Sequence, residues 1–206
     1  MSILNKLAKK YKTDKYGSHF YTPIYEKFMG LKKNKKILLL EIGIGGYMDG
    51  AYKNEYIGGE SLKMWRDYFK RGTIIGLDIV KKKIKLGKRV KIFTGSQNSY
   101  FDLKKITTNF KDFDFIIDDG SHNYKDIVFS FKYLFKFLKN GGYYFVEDAA
   151  ASSYIREFGG DGFNLDKKKT VINFFKGIID KINHKEIENP YFKKDYFCEN
   201  IYRLSK

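Results

Sequence analysis

The amino-acid sequence predicts one α/β domain, built on a mostly parallel β-sheet with helices on both faces. Three observations predict it. Short, continuously apolar runs recur, each closing on an acid or a glycine, and amphipathic stretches alternate with them along the chain. No repeat and no Pro- or Ser-rich linker divides the 206 residues, so the expected unit is a single domain over 1–206. A domain of that length buries roughly 70% of the surface its unfolded chain exposes.

Taken in order, residues 1–30 read as a helical segment. Its part "YKTDKYGSHFYTPIYEKF" (Tyr11–Phe28) is unusually polar and aromatic for a first helix. An aromatic stripe packed on the sheet explains some of it; Asp14, Tyr16, Ser18, His19 and Tyr21 are also candidates for a lid. "KILLLEIG" (Lys36–Gly43) is near-continuously apolar, as a strand covered on both faces must be. "GTIIGLDI" (Gly72–Ile79), "FDFIIDDG" (Phe113–Gly120) and "GGYYFVED" (Gly141–Asp148) repeat the form, with a weaker run at Arg89–Gly95.

Between these runs, Glu60–Lys70 sets Leu62, Trp65 and Phe69 on one helical face. Phe101–Phe110 is a shorter helix, and Tyr124–Gly142 an amphipathic one stopped by Asn140-Gly141-Gly142. After Asp148, "AAASSYIREFGGDGFN" reads as a Gly-rich loop, followed by a helix near Thr170–Ile182. Two weak strands, near Lys185–Ile187 and Phe197–Leu204, form an expected antiparallel hairpin at one sheet edge.

Composition narrows the function classes. Lys and Arg number 40 against 24 acids, a formal charge of +16, which invites a nucleic-acid reading. The excess is nearly all Lys, however, with Arg only at Arg66, Arg71, Arg89, Arg156 and Arg203. Arg is the residue suited to bidentate phosphate and guanine contacts, so a solvated Lys rim is favoured over a nucleic-acid groove. Cys198 has no partner for a disulfide within the chain, and it and His184 read as structural. No apolar run reaches the ~20 residues of a membrane span, and Lys interrupts the N-terminus too often for a secretory signal. The expected location is the cytoplasm.

The chemistry gathers at the carboxyl ends of the apolar runs, where open α/β sheets bind ligands. Glu41, Asp78, Asp118, Asp119, Glu147 and Asp148 all fall there, an acidic edge on a basic chain that suits a metal or a cationic cofactor. "EIGIGGY" supplies Gly43 and Gly45, yet Met48 stands where a dinucleotide fingerprint needs its third glycine. A tight turn explains these glycines equally well. Together with Glu41 and Asp78, an acid placed for ribose hydroxyls, they favour a nucleoside cofactor without phosphate. Asp119, Glu147 and Asp148 offer hard oxygen ligands for Mg²⁺. Adjacent strand residues face opposite ways, so Glu147 and Asp148 converge only if the backbone turns there. His122, three residues beyond Asp119, is the candidate general base.

The segments "TDKYGSHFYTPIYEKF", "LLEIGIGGY", "GGESLKMWRDYFKRGTIIGLDI", "FDFIIDDGSHNY" and "GGYYFVEDAAASSY" resemble the metal-dependent sugar O-methyltransferases, class I S-adenosylmethionine-dependent enzymes, from about Thr13 to Tyr154. The resemblance implies a Rossmann-like fold with a seven-stranded sheet whose last strand is antiparallel. It implies Mg²⁺ at Asp119, Glu147 and Asp148, with His122 as base. It implies S-adenosylmethionine held by Glu41, Gly43, Asp78 and the Ser96–Gln97 turn, with Tyr16 and Ser61 at its methionine end; Gly45 and Asp118 complete the expected cofactor set. The expected reaction is methyl transfer to a hydroxyl of a small-molecule sugar or sugar nucleotide, from surface polysaccharide or natural-product chemistry. Homo-oligomerisation is left open. At 206 residues the chain is expected to lack the large N-terminal domain of the macrolide-sugar enzymes, and "AAASSY" departs from the pattern the resemblance implies, so acceptor and assembly are left open. Two rival readings are a metal-independent methyltransferase acting on nitrogen or RNA, and a non-catalytic RNA-binding module; acidic strand ends, which repel phosphates, argue against the second.

Overall fold

The computed structural model describes residues 1–46, 57–158 and 169–183. The N-terminal segment forms two helices, α1 (Ile3–Tyr11) and α2 (Tyr21–Met29). Ser2 starts α1 by accepting from the Asn5 amide, and Lys12 ends it at φ 57°. The sheet strands are β1 (Leu38–Ile42), β2 (Thr73–Asp78), β3 (Val90–Thr94), β4 (Phe113–Asp118) and β5 (Leu138–Val146). They alternate with α3 (Glu60–Tyr68), α4 (Tyr100–Asn109) and α5 (Tyr124–Leu134), and the chain continues through α6 (Ala149–Tyr154) and α7 (Val171–Asn183).

The strand order is β3-β2-β1-β4-β5, with every neighbouring pair parallel. The period-2 alternation of each strand divides the core. Leu39, Ile74, Phe115 and Ile117 face the layer of α1, α2 and α3, where Leu4, Met29, Trp65 and Phe69 are buried. Leu40, Ile42, Ile75 and Ile116 face the other layer, with Leu103 of α4, Phe131 and Leu134 of α5, and Phe174 and Phe175 of α7. Successive strands run outward from β1 on one side and from β4 on the other. The carboxyl ends of β1 and β4 are therefore the point where the winding reverses, and a crevice opens there.

Three expectations change. The helix expected to run to Gly142 ends at Leu134, gives one 3-10 turn (Phe135–Phe137), and yields to β5 from Leu138. Asn140-Gly141-Gly142 is a bulge in that strand: Phe113 pairs with Leu138 and Phe115 with Tyr143, leaving Lys139–Gly142 opposite Asp114. A side chain at Gly142 would sit 3.0 Å from the carbonyls of Phe113 and Asp114, so the glycine serves strand contact, not a helix cap. The stretch after Asp148 is helical at first, as α6, where the Ser153 hydroxyl donates to the Ala149 carbonyl. Finally, the described sheet has five strands, not seven, and no antiparallel pair; the hairpin expected at Lys185–Ile187 and Phe197–Leu204, with His184 and Cys198, lies outside the described residues. Among the described residues no helix is long and apolar enough to cross a membrane.

Candidate active site

The ladder carries past the strand ends and sets the acids level with one another. The Asp119 amide donates to Ile42 O, the Glu147 amide to Asp118 O, and the Gly43 amide to Leu77 O. Gly43 adopts φ +76°, and a Cβ there would lie 1.9 Å from the Asp119 carbonyl oxygen, so only glycine lets β1 and β4 meet this closely. His122 and Asp148, at φ 54° and 50°, are non-glycine residues in the left-handed region. Strain of that kind, costing about 1–3 kcal/mol each, tends to collect at functional sites.

Asp119, His122 and Asp148 form a cluster whose ligand atoms all lie within 4.8 Å of one another. His122 Nε2 stands 3.9 Å from Asp119 Oδ1 and 3.8 Å from Asp148 Oδ2. The ring is held edge-on to Phe158, and its Nδ1 is buried without a hydrogen-bond partner. The left-handed turn at Asp148 is what separates the two adjacent acids. Asp148 goes to the cluster, while Glu147 turns inward and accepts from Tyr25 and, at 2.7 Å, from Lys15.

Lys15 is 1% exposed, with Nζ 2.8 Å from Asp119 Oδ2, 2.7 Å from Glu147 Oε1 and 3.3 Å from Glu41 Oε1. Acids from the ends of β1, β4 and β5 thus converge on one ammonium carried by the loop before α2. Burial opposes that charge, but Glu147, Asp119 and Glu41 hold it on and raise its pKa well above the ordinary value. Burial also raises Glu147 and Glu41, against the pull of Lys15.

Two cavities open at these strand ends and share Gly43, Asp78 and Gly120. One, of about 300 Å³, is lined by Lys15, Ser61, Gly45, Asp119 and His122. The other, of about 160 Å³, is lined by Leu77, Ile79, Ser96, Gln97, Ser121 and Asp126. Asp78 is fixed by the amides of Ile44 and Val80 and pairs with Lys82 at 3.4 Å.

No protein-family model matches the chain. It is 37% identical over 185 residues to the demethylmacrocin O-methyltransferase of Streptomyces fradiae, covering 89% of this chain and 45% of that protein. It is 36% identical over 203 residues to the mycinamicin VI 2''-O-methyltransferase of Micromonospora griseorubida, covering 98% and 49%. A third relative, from Streptomyces olivaceus, is the 8-demethyl-8-(2-methoxy-alpha-L-rhamnosyl)-tetracenomycin-C 3'-O-methyltransferase, 35% identical over 188 residues and covered to 91% and 47%. Among solved structures, the MycE methyltransferase from the mycinamycin biosynthetic pathway, in complex with Mg, SAH and mycinamycin VI, superposes with a TM-score of 0.80 at 35% identity, over 90% of this chain and 50% of that one. Over most of its own length the chain is similar to these O-methyltransferases. It spans about half the length of the curated relatives it matches.

Of the expected cofactor residues, Gly43, Gly45, Ser61, Asp78, Ser96 and Gln97 line the paired cavities. Tyr16, Glu41 and Asp118 line neither. Tyr16 packs edge-on to Phe20 beneath the Lys9 ammonium. Glu41 is fully buried, accepting from the Ser61 hydroxyl at 2.8 Å. Asp118 faces the opposite layer, where it accepts from Gln97, Ser130 and Tyr144, and burial pushes its carboxyl up to about 6 against those bonds. Its reach toward the crevice is through Gln97, whose Oε1 accepts from the Ser121 amide. Of the expected metal residues, Asp119 and Asp148 meet in the cluster with His122, and Glu147 is not part of it. Lys15 and Tyr25 escaped the sequence reading; their only signal was the polar and aromatic character of the segment that carries them.

Proposed function

We propose that this chain transfers a methyl group from S-adenosylmethionine to a sugar hydroxyl, with Mg²⁺ held by Asp119 and Asp148. The observation that carries the reading is the convergence of Asp119 Oδ1, Asp148 Oδ2 and His122 Nε2 at the sheet's reversal point, beside cavities that meet at Gly43 and Asp78. The residues fit both groups. Two carboxylate oxygens face the cluster with no hydrogen bond from the described residues, the donor type Mg²⁺ takes while keeping waters. The unpartnered, buried Nδ1 of His122 is a polar atom left unsatisfied by the described chain, which points to a group supplied by a ligand or water. Cofactor and acceptor would share the polar 300 Å³ cavity, and the nucleoside the 160 Å³ one, where Asp78 waits for ribose hydroxyls.

S-adenosylmethionine would supply an electrophilic methyl, and Mg²⁺ a positive field that lowers an acceptor hydroxyl's pKa. The chain's own part is to bind and aim. Gly43, Ser96, Gln97 and Asp78 seat the nucleoside, Asp119 and Asp148 hold the cation, and His122 Nε2 takes the acceptor's proton. No covalent enzyme intermediate is needed, so orientation carries much of the acceleration. The seven-stranded form of the fold, completed by a hairpin beyond β5, belongs to this proposal; β5 ends the described sheet and pairs there only with β4.

The test incubates the protein with S-adenosylmethionine, Mg²⁺ and a panel of sugars and sugar nucleotides, seeking by mass spectrometry the gain of one CH₂. No product across the panel, with S-adenosylhomocysteine also failing to bind, would remove the reading. On an accepted sugar, His122→Ala should lower turnover about 10²–10⁴-fold while cofactor binding persists. Unchanged turnover would remove the base assignment.

A further inference from the structure

Each carboxylate of the cluster has two oxygens, and the N-terminal segment takes one of each. Lys15 Nζ holds Asp119 Oδ2 at 2.8 Å, and the Tyr21 hydroxyl donates to Asp148 Oδ1 at 2.5 Å. The oxygens left over, Asp119 Oδ1 and Asp148 Oδ2, are the two that face His122 Nε2 at 3.9 and 3.8 Å. The division follows from how the segment is built. The Lys15 carbonyl accepts from the amides of Tyr21 and Thr22 and so ties the loop to the first turn of α2. The His19 amide donates to the Asp14 carbonyl, closing the loop that separates the two side chains. The His19 ring then lies flat on the Tyr21 ring, with centroids 5.1 Å apart and planes 4° from parallel.

We propose that Tyr21 is a positioning residue for the cation site, braced by His19: its hydroxyl occupies the outer oxygen of Asp148 so that the inner one is presented to the ion, as Lys15 does for Asp119. A carboxylate on a single strand-end residue rotates about χ1 and χ2, and nothing in its own backbone selects which oxygen faces the crevice. A donor fixed on a neighbouring helix makes that selection. Loss of such an outer partner typically costs about 10–100-fold in metal affinity. The inference rests on the cation site of the proposed function, but its readout is binding, not turnover.

The experiment titrates Mn²⁺, followed by its electron paramagnetic resonance signal, into wild-type protein, Tyr21→Phe and His19→Ala. S-adenosylhomocysteine affinity and thermal melting are measured on the same samples. Tyr21→Phe keeps the ring and its stacking on His19 and removes only the hydroxyl. Its Mn²⁺ dissociation constant should rise about 10–100-fold, with S-adenosylhomocysteine affinity and melting temperature held. His19→Ala should move Mn²⁺ affinity in the same direction by less. Equal Mn²⁺ affinity in Tyr21→Phe and wild type would overturn the positioning role and leave the cation site standing. Parallel loss of Mn²⁺ binding, S-adenosylhomocysteine binding and melting temperature would reduce Tyr21 to a structural part and overturn it as well. Wild-type protein that binds no Mn²⁺ would overturn the cation site itself, and the inference with it.

Discussion

Gly43 couples the backbone to the chemistry at a single atom. Its φ of +76° and the 1.9 Å approach of a built Cβ to the Asp119 carbonyl leave two separate costs for any side chain. The left-handed conformation alone strains a non-glycine residue by about 1–3 kcal/mol. Relief of the clash requires β4 to move away from β1, and Asp119 moves with it. Gly43→Ala should therefore lose stability in urea denaturation and lose Mn²⁺ affinity together. A variant with the wild-type urea midpoint would show that the strand ends have slack that the geometry does not reveal. The same residue illustrates what a sequence can carry. "EIGIGG" announces tight backbone, but whether the near neighbour is a cofactor or another strand depends on β4, over seventy residues away.

At the scale of elements, α1 and α3 are joined across the N-terminal layer by Asp67. It accepts from the Tyr11 hydroxyl, pairs with Arg66 at 2.9 Å, and has Lys10 at 3.7 Å. Burial alone would lift its carboxyl, but Arg66 and Tyr11 hold it at about 2, below its ordinary 3.8. A carboxyl depressed on folding contributes stability above its unfolded value and loses it as pH falls through the folded one. The stability gap between wild type and Asp67→Asn should therefore be full near neutral pH and close between 3.8 and about 2. Urea midpoints measured down this range check it, and a gap that is constant with pH would discard the pairing as a source of stability. Elements of this kind were unevenly legible. The strands could be read because a sheet covered on both faces demands predominantly apolar runs such as "LLLEI" and "FDFIID", even with an acid inside them. The start of β5 could not, since "KNGG" after an amphipathic stretch has the form of a helix end, and only pairing with Phe113 makes it a strand. α6 was hidden because "AAASSY" is short and carries no apolar period. Within the site, strand-end positions singled out Asp119, His122 and Asp148, which cluster, and equally Glu147, which does not join them. Lys15 could not be read, because one ammonium among 40 basic residues has no local mark of burial.

For the whole molecule, the charge distribution is inverted between surface and site. The chain carries +16 overall, yet Glu41, Asp119 and Glu147 surround Lys15 where β1, β4 and β5 end, one cation against three carboxylates. The basic rim is solvated and screened over about 10 Å at ordinary salt, so it cannot neutralise acids set inside the fold. Compensation has to be local, and Lys15 provides it. Removing one partner from a buried ion pair costs about 3–5 kcal/mol, because the remaining charges stay desolvated. Lys15→Met should lose stability on that scale in metal-free protein. A divalent cation that binds the folded cluster stabilises it by mass action, and in the variant it also replaces the missing positive charge. Mn²⁺ should accordingly raise the melting temperature of Lys15→Met by more than it raises that of wild type. Melting curves with chelator and with Mn²⁺ decide it. Wild-type stability of Lys15→Met in chelator would mean that the acids shed their charge when the ammonium goes. In that case the site does not depend on an internal cation to stay folded.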